Sequence, residues 1–295
     1  MKAAGKDVYL GGNIGAGVFD FLPKLTKKSW VVLELSSFQL IDLHKSPHIA
    51  VVLMVTSEHL NWHKNIDEYV QAKAQISLHQ NDGDFVVANK DYPSSVKIAK
   101  QSDGKIFWVS GKGVDIETKL RGDHNKENIA AAVAVAKILN VKEPIIRKVI
   151  KNFRGLKHRL EFVKKVKGVS FYNDSFSTVP ETAIAAIKSF TEPTIIILGG
   201  SSKNSDFSEL GKTITNAKNI KKVILIGVEG PKIGKFIKNK EIAFGEGNME
   251  KIVQMAYNNA TKGDVVLLSP ACASFDMFKS YKDRGEQFKK AVMAL

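Results

Sequence analysis

Eight apolar runs punctuate this chain, and none alternates with polar residues. They are "WVVLELS" (30–36), "IAVVLMV" (49–55), "DFVVAN" (84–89), "KIFWVS" (105–110), "VSFYN" (169–173), "TIIILGG" (194–200), "KKVILIG" (221–227) and "DVVLLS" (264–269). Strands of that kind are buried on both faces, as in a parallel sheet covered by helices. Helical periodicity fills 66–79, 126–139, 143–152, 180–190, 206–217, 248–261 and 283–293. The alternation predicts an α/β fold with mostly parallel sheets. A boundary is expected near 152–158, dividing the chain into 1–155 and 156–295. The first part opens almost at once on a short strand, "DVYLGG", and reads as incomplete. The second reads as a whole Rossmann-like unit of four or five strands.

Charge narrows the partners. With 44 Lys and Arg against 30 Asp and Glu, the formal charge is +14. One reading spreads this charge over solvated faces such as "KEPIIRKVIKNFRGLKHRLEFVKKVKG", with some steering of anionic ligands. Nucleic-acid binding has less support, because the basic residues do not gather in one tail and no aromatic–basic RNA motif is present. No apolar run is long enough to cross a bilayer, and the opening "MKAAGKDVYLGG" is too polar for a signal peptide. The one cysteine, Cys272, excludes an internal disulfide and a Cys-rich zinc site. A cytoplasmic protein with no membrane and no nucleic-acid partner is the expectation.

Ligands in α/β sheets bind beyond the carboxyl ends of the strands. Six exits are polar or Gly-rich: "GGNIGAG" (11–17), "ELSSFQ" (34–39), "TSEHLNWH" (56–63), "NDSFST" (173–178), "GGSSKNSDF" (199–207) and "SPACASFD" (269–276). Glu34 lies inside an apolar run, where a carboxylate is costly unless paired or on a metal; the plainer reading is a strand end facing water. Glu58, His59 and His63 offer metal-ligand chemistry, or simply surface histidines. Lys73 stands between Ala72 and Ala74 on a helix, where periodicity alone favours a solvated lysine. Asn125 and Asn128 open a helix, as an N-cap region or as an amide pair for a purine or ribose. His158, Arg159 and Glu161 mark the joint, as an ion pair or a bidentate grip on phosphate. Lys203 follows a Gly-Gly turn and would bring an ammonium to an anion. "LGKTIT" (210–215) imitates a phosphate loop but has Asp206 where the required earlier glycine belongs, so it is rejected. Ser269, Ser274, Asp276, Phe275, Phe278 and Tyr281 crowd the last exit, and the next helix start suits a carboxylate.

Taken in order, "GGNIG", "ELSSFQL", "EHLNWH", "YVQAKAQI", "GDHNKEN", "GLKHRLEFV", "NDSFST", "LGGSSKNSDF" and "LSPACASFDMFKSYKDRGEQF" resemble the Mur ligase family over nearly the whole chain, and within it the D-glutamate-adding members. The resemblance implies a central ATPase domain followed by a C-terminal Rossmann-like domain. It implies an ATP-dependent amide ligase of peptidoglycan synthesis, working through an acyl phosphate with two Mg2+ ions. D-glutamate and UDP-N-acetylmuramoyl-L-alanine would be its substrates.

Carried over by motif, Glu34 and His59 would ligate Mg2+, and Lys73, carbamylated, would serve the second metal. Asn13 would lie by the phosphates and the acylated carboxylate. Asn125, Asn128, Arg159 and Asp174 would hold ATP. Thr178, Lys203, Ser274, Phe275 and Tyr281 would hold D-glutamate. The family usually has Lys at position 176 and Asn at 179, where this chain has Phe176 and Val179; Glu58 replaces its usual Asp. The family's N-terminal UDP-binding domain and its phosphate loop find no counterpart here. The expectation is therefore a truncated central domain, poor ATP hydrolysis, and association through exposed edges. The alternative is a non-catalytic nucleotide or amino-acid binding module.

Overall fold

A computed structural model describes residues 1–56, 62–202 and 204–295. It forms two compact units, one of residues Met1–Thr118 with Asp123–Asn152, the other of Lys119–Gly122 with Phe153–Leu295.

The first unit holds two small parallel sheets among the described residues. β1 (Val8–Gly12) pairs with β2 (Trp30–Glu34). β3 (Ile49–Val52), β4 (Phe85–Asn89) and β5 (Lys105–Val109) pair in that order. The helices are α1 (Val18–Phe21), α2 (Ser37–Leu40), α3 (Ile66–Leu78), α4 (Pro93–Ala99), α5 (Asp123–Ile138) and α6 (Glu143–Asn152). β4 shows why its apolar run is unbroken. Val86 and Ala88 pack on Tyr69, Val70 and Ala74 of α3 and on Ile98 of α4, while Val87 packs with Val109 and Ala131 on the other face. α6 keeps a narrow apolar seam, burying Ile146 against Leu139 and Val141, and turns its lysines outward.

β2 departs from expectation. Its run predicts burial on both faces, yet Val31, Val32 and Leu33 are exposed, Val32 at 42%. A two-stranded sheet gives these side chains no covering layer among the described residues.

The second unit is one six-stranded sheet. β6 (Glu161–Val166), β7 (Val169–Asn173), β8 (Thr194–Gly199), β9 (Ile220–Ile226), β10 (Glu241–Phe244) and β11 (Val265–Leu268) take the order β10-β9-β8-β11-β7-β6. All pairings are parallel except β6 with β7. The sequence predicts four or five strands here; the extra ones are the edges β6 and β10. An edge strand needs no continuous apolar run, and "EFVKKV" reads as basic surface. Helices α7 (Pro180–Lys188), α8 (Ser208–Asn216) and α9 (Gly230–Gly234) lie with one core layer. α10 (Met249–Asn258) and α11 (Tyr281–Ala294) close the other. Burying the central strands on two sides is the main stabilising term, at roughly 25 cal/mol per Å2 of apolar surface removed from water. The "LGKTIT" decoy lies within α8, where Gly211 is buried because Phe236 leaves no room for a Cβ.

Among the described residues no helix is long and apolar enough to cross a membrane.

Candidate functional site

In the first unit the exits of β1 and β2 meet. Gly12 stands opposite Glu34 in the ladder. Its φ of +96° and the Glu34 carbonyl beside it exclude any side chain. That close approach lets the Asn13 N–H donate to the Glu34 carbonyl at 2.9 Å. Asn13 and Glu34, 21 positions apart in sequence, therefore share one exit. The Glu34 side chain is exposed, so the burial cost suggested by its apolar neighbours does not arise. Ser36 caps α2 through the Gln39 N–H, and Gln39 returns its Oε1 to the Ser36 N–H at 2.9 Å.

His63 is not a surface histidine. It is buried, its Nε2 lies 2.8 Å from Ser37 Oγ, and its ring stacks on Phe38. Glu58 and His59 lie outside the described residues. Among the described residues no group of three or more His, Cys, Asp or Glu converges.

Lys73 is half-buried on α3, and its Nζ lies 5.0 Å from the Tyr69 ring centroid. The helix is started by Asn65, whose Oδ1 accepts the Glu68 N–H at 2.9 Å. Tyr69, Ala72 and Ala74 of the same helix are buried.

Asn125 and Asn128 sit one turn apart in α5, Asn128 Nδ2 donating to Asn125 Oδ1 at 3.3 Å. Both Asp123 and Asn125 are inside the helix, so neither is its N-cap.

In the second unit the exits of β7, β8 and β11 lie side by side at the middle of the sheet. Asp174 follows β7 and is buried. Its Oδ2 accepts from Ser269 Oγ at 2.8 Å, and its Oδ1 accepts from the Leu160 N–H at 3.0 Å. Burial pushes its pKa up to about 7, against the downward pull of Ser269, the Leu160 N–H, Arg159 and Arg284. Asn173, also buried, bridges His158 Nδ1 at 3.0 Å and Glu161 Oε2 at 3.1 Å. Burial lowers the His158 pKa, which leaves its ring a neutral hydrogen-bonding strut.

Arg159 is exposed and places its guanidinium 5.1 Å from the centroid of Phe176. The other side of that stack is Tyr281, edge-on to Phe176 at 5.0 Å. Phe176 thus joins Arg159 and Tyr281 in one aromatic–cationic rim, and a cation does stand beside position 176.

Thr178 is half-buried two residues before α7, and Ser274 is buried. Phe275 is 74% exposed, with its N–H donating to Ser201 Oγ at 3.2 Å. Cys272 is buried at the same exit. Lys203 lies outside the described residues. A cavity of about 450 Å3 is lined by Ile187, Phe190, Glu209, Thr213 and Asn216, and contains none of the candidates.

Arg284 is a buried charge that the sequence reading did not single out. It lies in α11, fully buried, bonded to both the β7 and β11 exits. Its one signal was an arginine beside a glycine in an otherwise amphipathic helix.

Two families match the chain, the Mur ligase middle domain over residues 16–105 and the Mur ligase glutamate ligase domain over residues 158–272. The UDP-N-acetylmuramoylalanine–D-glutamate ligase of Acetivibrio thermocellus is 38% identical, over 100% of this chain and 70% of its own length. The same-named protein of Symbiobacterium thermophilum is 36% identical over 100% and 71%. Among solved structures, the MurF ligase of Thermotoga maritima in complex with ADP aligns with a TM-score of 0.71 at 20% identity, over 98% of this chain and 74% of that one. The UDP-N-acetylmuramate–alanine ligase of the same organism aligns at 0.68 and 16%, over 99% and 77%.

Proposed function

Since the chain belongs to the Mur ligase family, we propose that it is built for the D-glutamate-adding reaction of peptidoglycan synthesis. In that reaction the carboxylate of UDP-N-acetylmuramoyl-L-alanine attacks the γ-phosphorus of ATP and ADP leaves. The amine of D-glutamate then attacks the acyl phosphate carbon. Phosphate departs with the C–O electron pair, and the new amide nitrogen gives up a proton.

The roles divide between nucleotide, amino acid and metal. Asp174, Arg159 and the amide pair Asn125 and Asn128 hold the nucleotide. Thr178, Ser274, Phe275 and Tyr281, with Lys203, hold D-glutamate. Asn13 lies by the reacting carboxylate. Glu34, with His59 and carbamylated Lys73, would hold Mg2+. A single exposed carboxylate at a strand exit suits that ion, which takes one or two carboxylates and otherwise phosphate and water oxygens. When bound, Mg2+ offsets the charge of the phosphates and the acyl phosphate. Carbamylation of Lys73, half-buried on α3, would turn its amine into an acid that serves the second ion.

The observation that carries the reading is the Ser269–Asp174 bond. It joins the exit of β7, which carries Asp174 and Thr178, to the exit of β11, which carries Ser274 and Phe275. Calorimetric titration of D-glutamate, L-glutamate, Mg·ADP and duplex DNA against the chain tests it. D-glutamate and Mg·ADP bind, L-glutamate and DNA do not, and Thr178→Ala weakens D-glutamate by about tenfold, the worth of one good hydrogen bond. Binding of neither D-glutamate nor ADP would overturn it.

Phe176 favours a second reading, a non-catalytic binding module, because its ring occupies a place beside the substrate loop and holds Arg159 at 5.1 Å. An amide-forming assay with UDP-N-acetylmuramoyl-L-alanine, ATP and D-glutamate separates the two. Self-association through the exposed strands β1 and β2 belongs to either reading.

A further inference from the structure

Arg284 is a charged side chain with no exposure, buried beside Asn173, Asp174, Ser175 and Ser274 in the second unit. Taking a guanidinium out of water is costly unless its donors are met. Here they are met by neutral acceptors. Nε donates to Ser175 Oγ and Nη2 to the Ser175 carbonyl, both at 2.9 Å. Nη2 also donates to the Cys272 carbonyl at 3.0 Å, and Nη1 to the Ala273 carbonyl at 3.3 Å. Among the described residues no carboxylate forms an ion pair with it. Desolvation lowers its pKa to about 10, which leaves it charged at neutral pH.

Those acceptors belong to two loops. Ser175 lies one residue after Asp174 and three before Thr178. Cys272 and Ala273 lie immediately before Ser274. A third loop joins through Ala273, whose carbonyl also accepts the Ser201 N–H at 2.9 Å, from the exit of β8. Gly200, at φ +148°, can approach only because it has no side chain to collide with the Ala273 carbonyl and Arg284 Nη1. Gly285, the next residue of α11, admits His158 Nδ1 and Asn173 Nδ2 in the same way. The Ser175 hydroxyl, having accepted from Arg284, donates to the Tyr281 carbonyl at 2.8 Å, which ties the start of α11 to the loop.

We propose that Arg284 is a positioning residue whose planar fork locks the loops after β7 and β11, and through Ala273 the loop after β8, into one rigid body. The chemistry suits arginine alone. Five donors in a plane reach backbone carbonyls on two sides at once, which an ammonium on a flexible stem does not do. An apolar replacement takes a donor away from the Ser175, Cys272 and Ala273 carbonyls at once. Resting on the proposed function, the consequence is coupling, because a nucleotide that orders the β7 loop also orders the amino-acid loop.

The test uses Arg284→Lys and Arg284→Met in the full chain, with thermal melts to establish folding. Hydrogen exchange is followed at the Ser175, Ser177, Ser201 and Phe275 amides. The proposal expects these four to lose protection together, by about tenfold or more in both variants, while β9 amides keep theirs, since local opening and global unfolding are separable. D-glutamate is then titrated with and without saturating Mg·ADP. Wild type binds D-glutamate at least about fivefold more tightly with ADP present, a coupling that falls to unity in Arg284→Lys while each ligand alone binds within about twofold of wild type. Exchange that rises uniformly across the unit, retained coupling in Arg284→Lys, or failure of both variants to fold overturns the proposal. If neither ligand binds the wild type but the four amides open together, the loop lock stands and the ligand assignment falls.

Discussion

Asp174 follows and Glu34 ends a buried-looking strand, yet only Asp174 is buried. Its pKa, raised to about 7 from an ordinary 3.8 chiefly by desolvation, has a definite thermodynamic sign. Between about pH 4 and pH 7 the folded chain holds a proton that the unfolded chain has released, so stability falls as pH rises through that window. The full shift corresponds to about 4 kcal/mol lost by pH 8. Asp174→Asn removes the charge, so thermal melts at pH 5 and pH 8 should show a flatter pH dependence for that variant than for wild type. Ser269→Ala removes a donor that favours the carboxylate. The Asp174 midpoint then moves further up, readable by carboxyl carbon NMR titration. Neither outcome was legible from "NDSFST" alone. The acid and its hydroxyl partner are 95 positions apart, and the same is true in kind of Arg284, whose partners in the β7 loop lie 109 positions away.

The elements carry their own tests. α11 contains Gly285, which as a helix residue is worse than alanine by about 1 kcal/mol. Gly285→Ala should nevertheless destabilise, by about 2 kcal/mol, because the new methyl group collides with His158 Nδ1; urea unfolding measures it. Asn65→Ala removes the cap of α3 and should cost about 1 kcal/mol, with little effect on the second unit. Strands buried on both faces, β4 and β8 above all, were readable because two-sided burial demands an unbroken apolar run. β6, with Lys164 and Lys165 inside it, and the four-residue β10 were not, since an edge strand satisfies its ladder on one side and keeps polar residues on the other. The helix signals were stronger because 3.6-residue periodicity survives partial exposure.

At the scale of the whole molecule, the small sheet of β1 and β2 leaves its apolar side chains exposed. Leu10, Phe19, Val31, Val32 and Leu33 are exposed, Phe19 at 84%, with Leu10 and Val32 paired on one face of β1 and β2, and exposed apolar side chains favour association. Sedimentation velocity should therefore show self-association that rises with concentration, and Val32→Lys should reduce it without altering ligand binding by the second unit. An association unchanged by Val32→Lys would place the contact elsewhere. The amino-acid sequence by itself determined the fold class, the position of most strands along the chain, the residue types at each exit and the family, because periodicity and local motifs are properties of neighbouring residues. Only the tertiary structure decided which carboxylate is desolvated, that His63 turns inward to Ser37, that Arg159 stacks on Phe176, and that Arg284 joins the loops. Burial and hydrogen-bond closure depend on distances in space between positions far apart along the chain, and no local pattern encodes those distances.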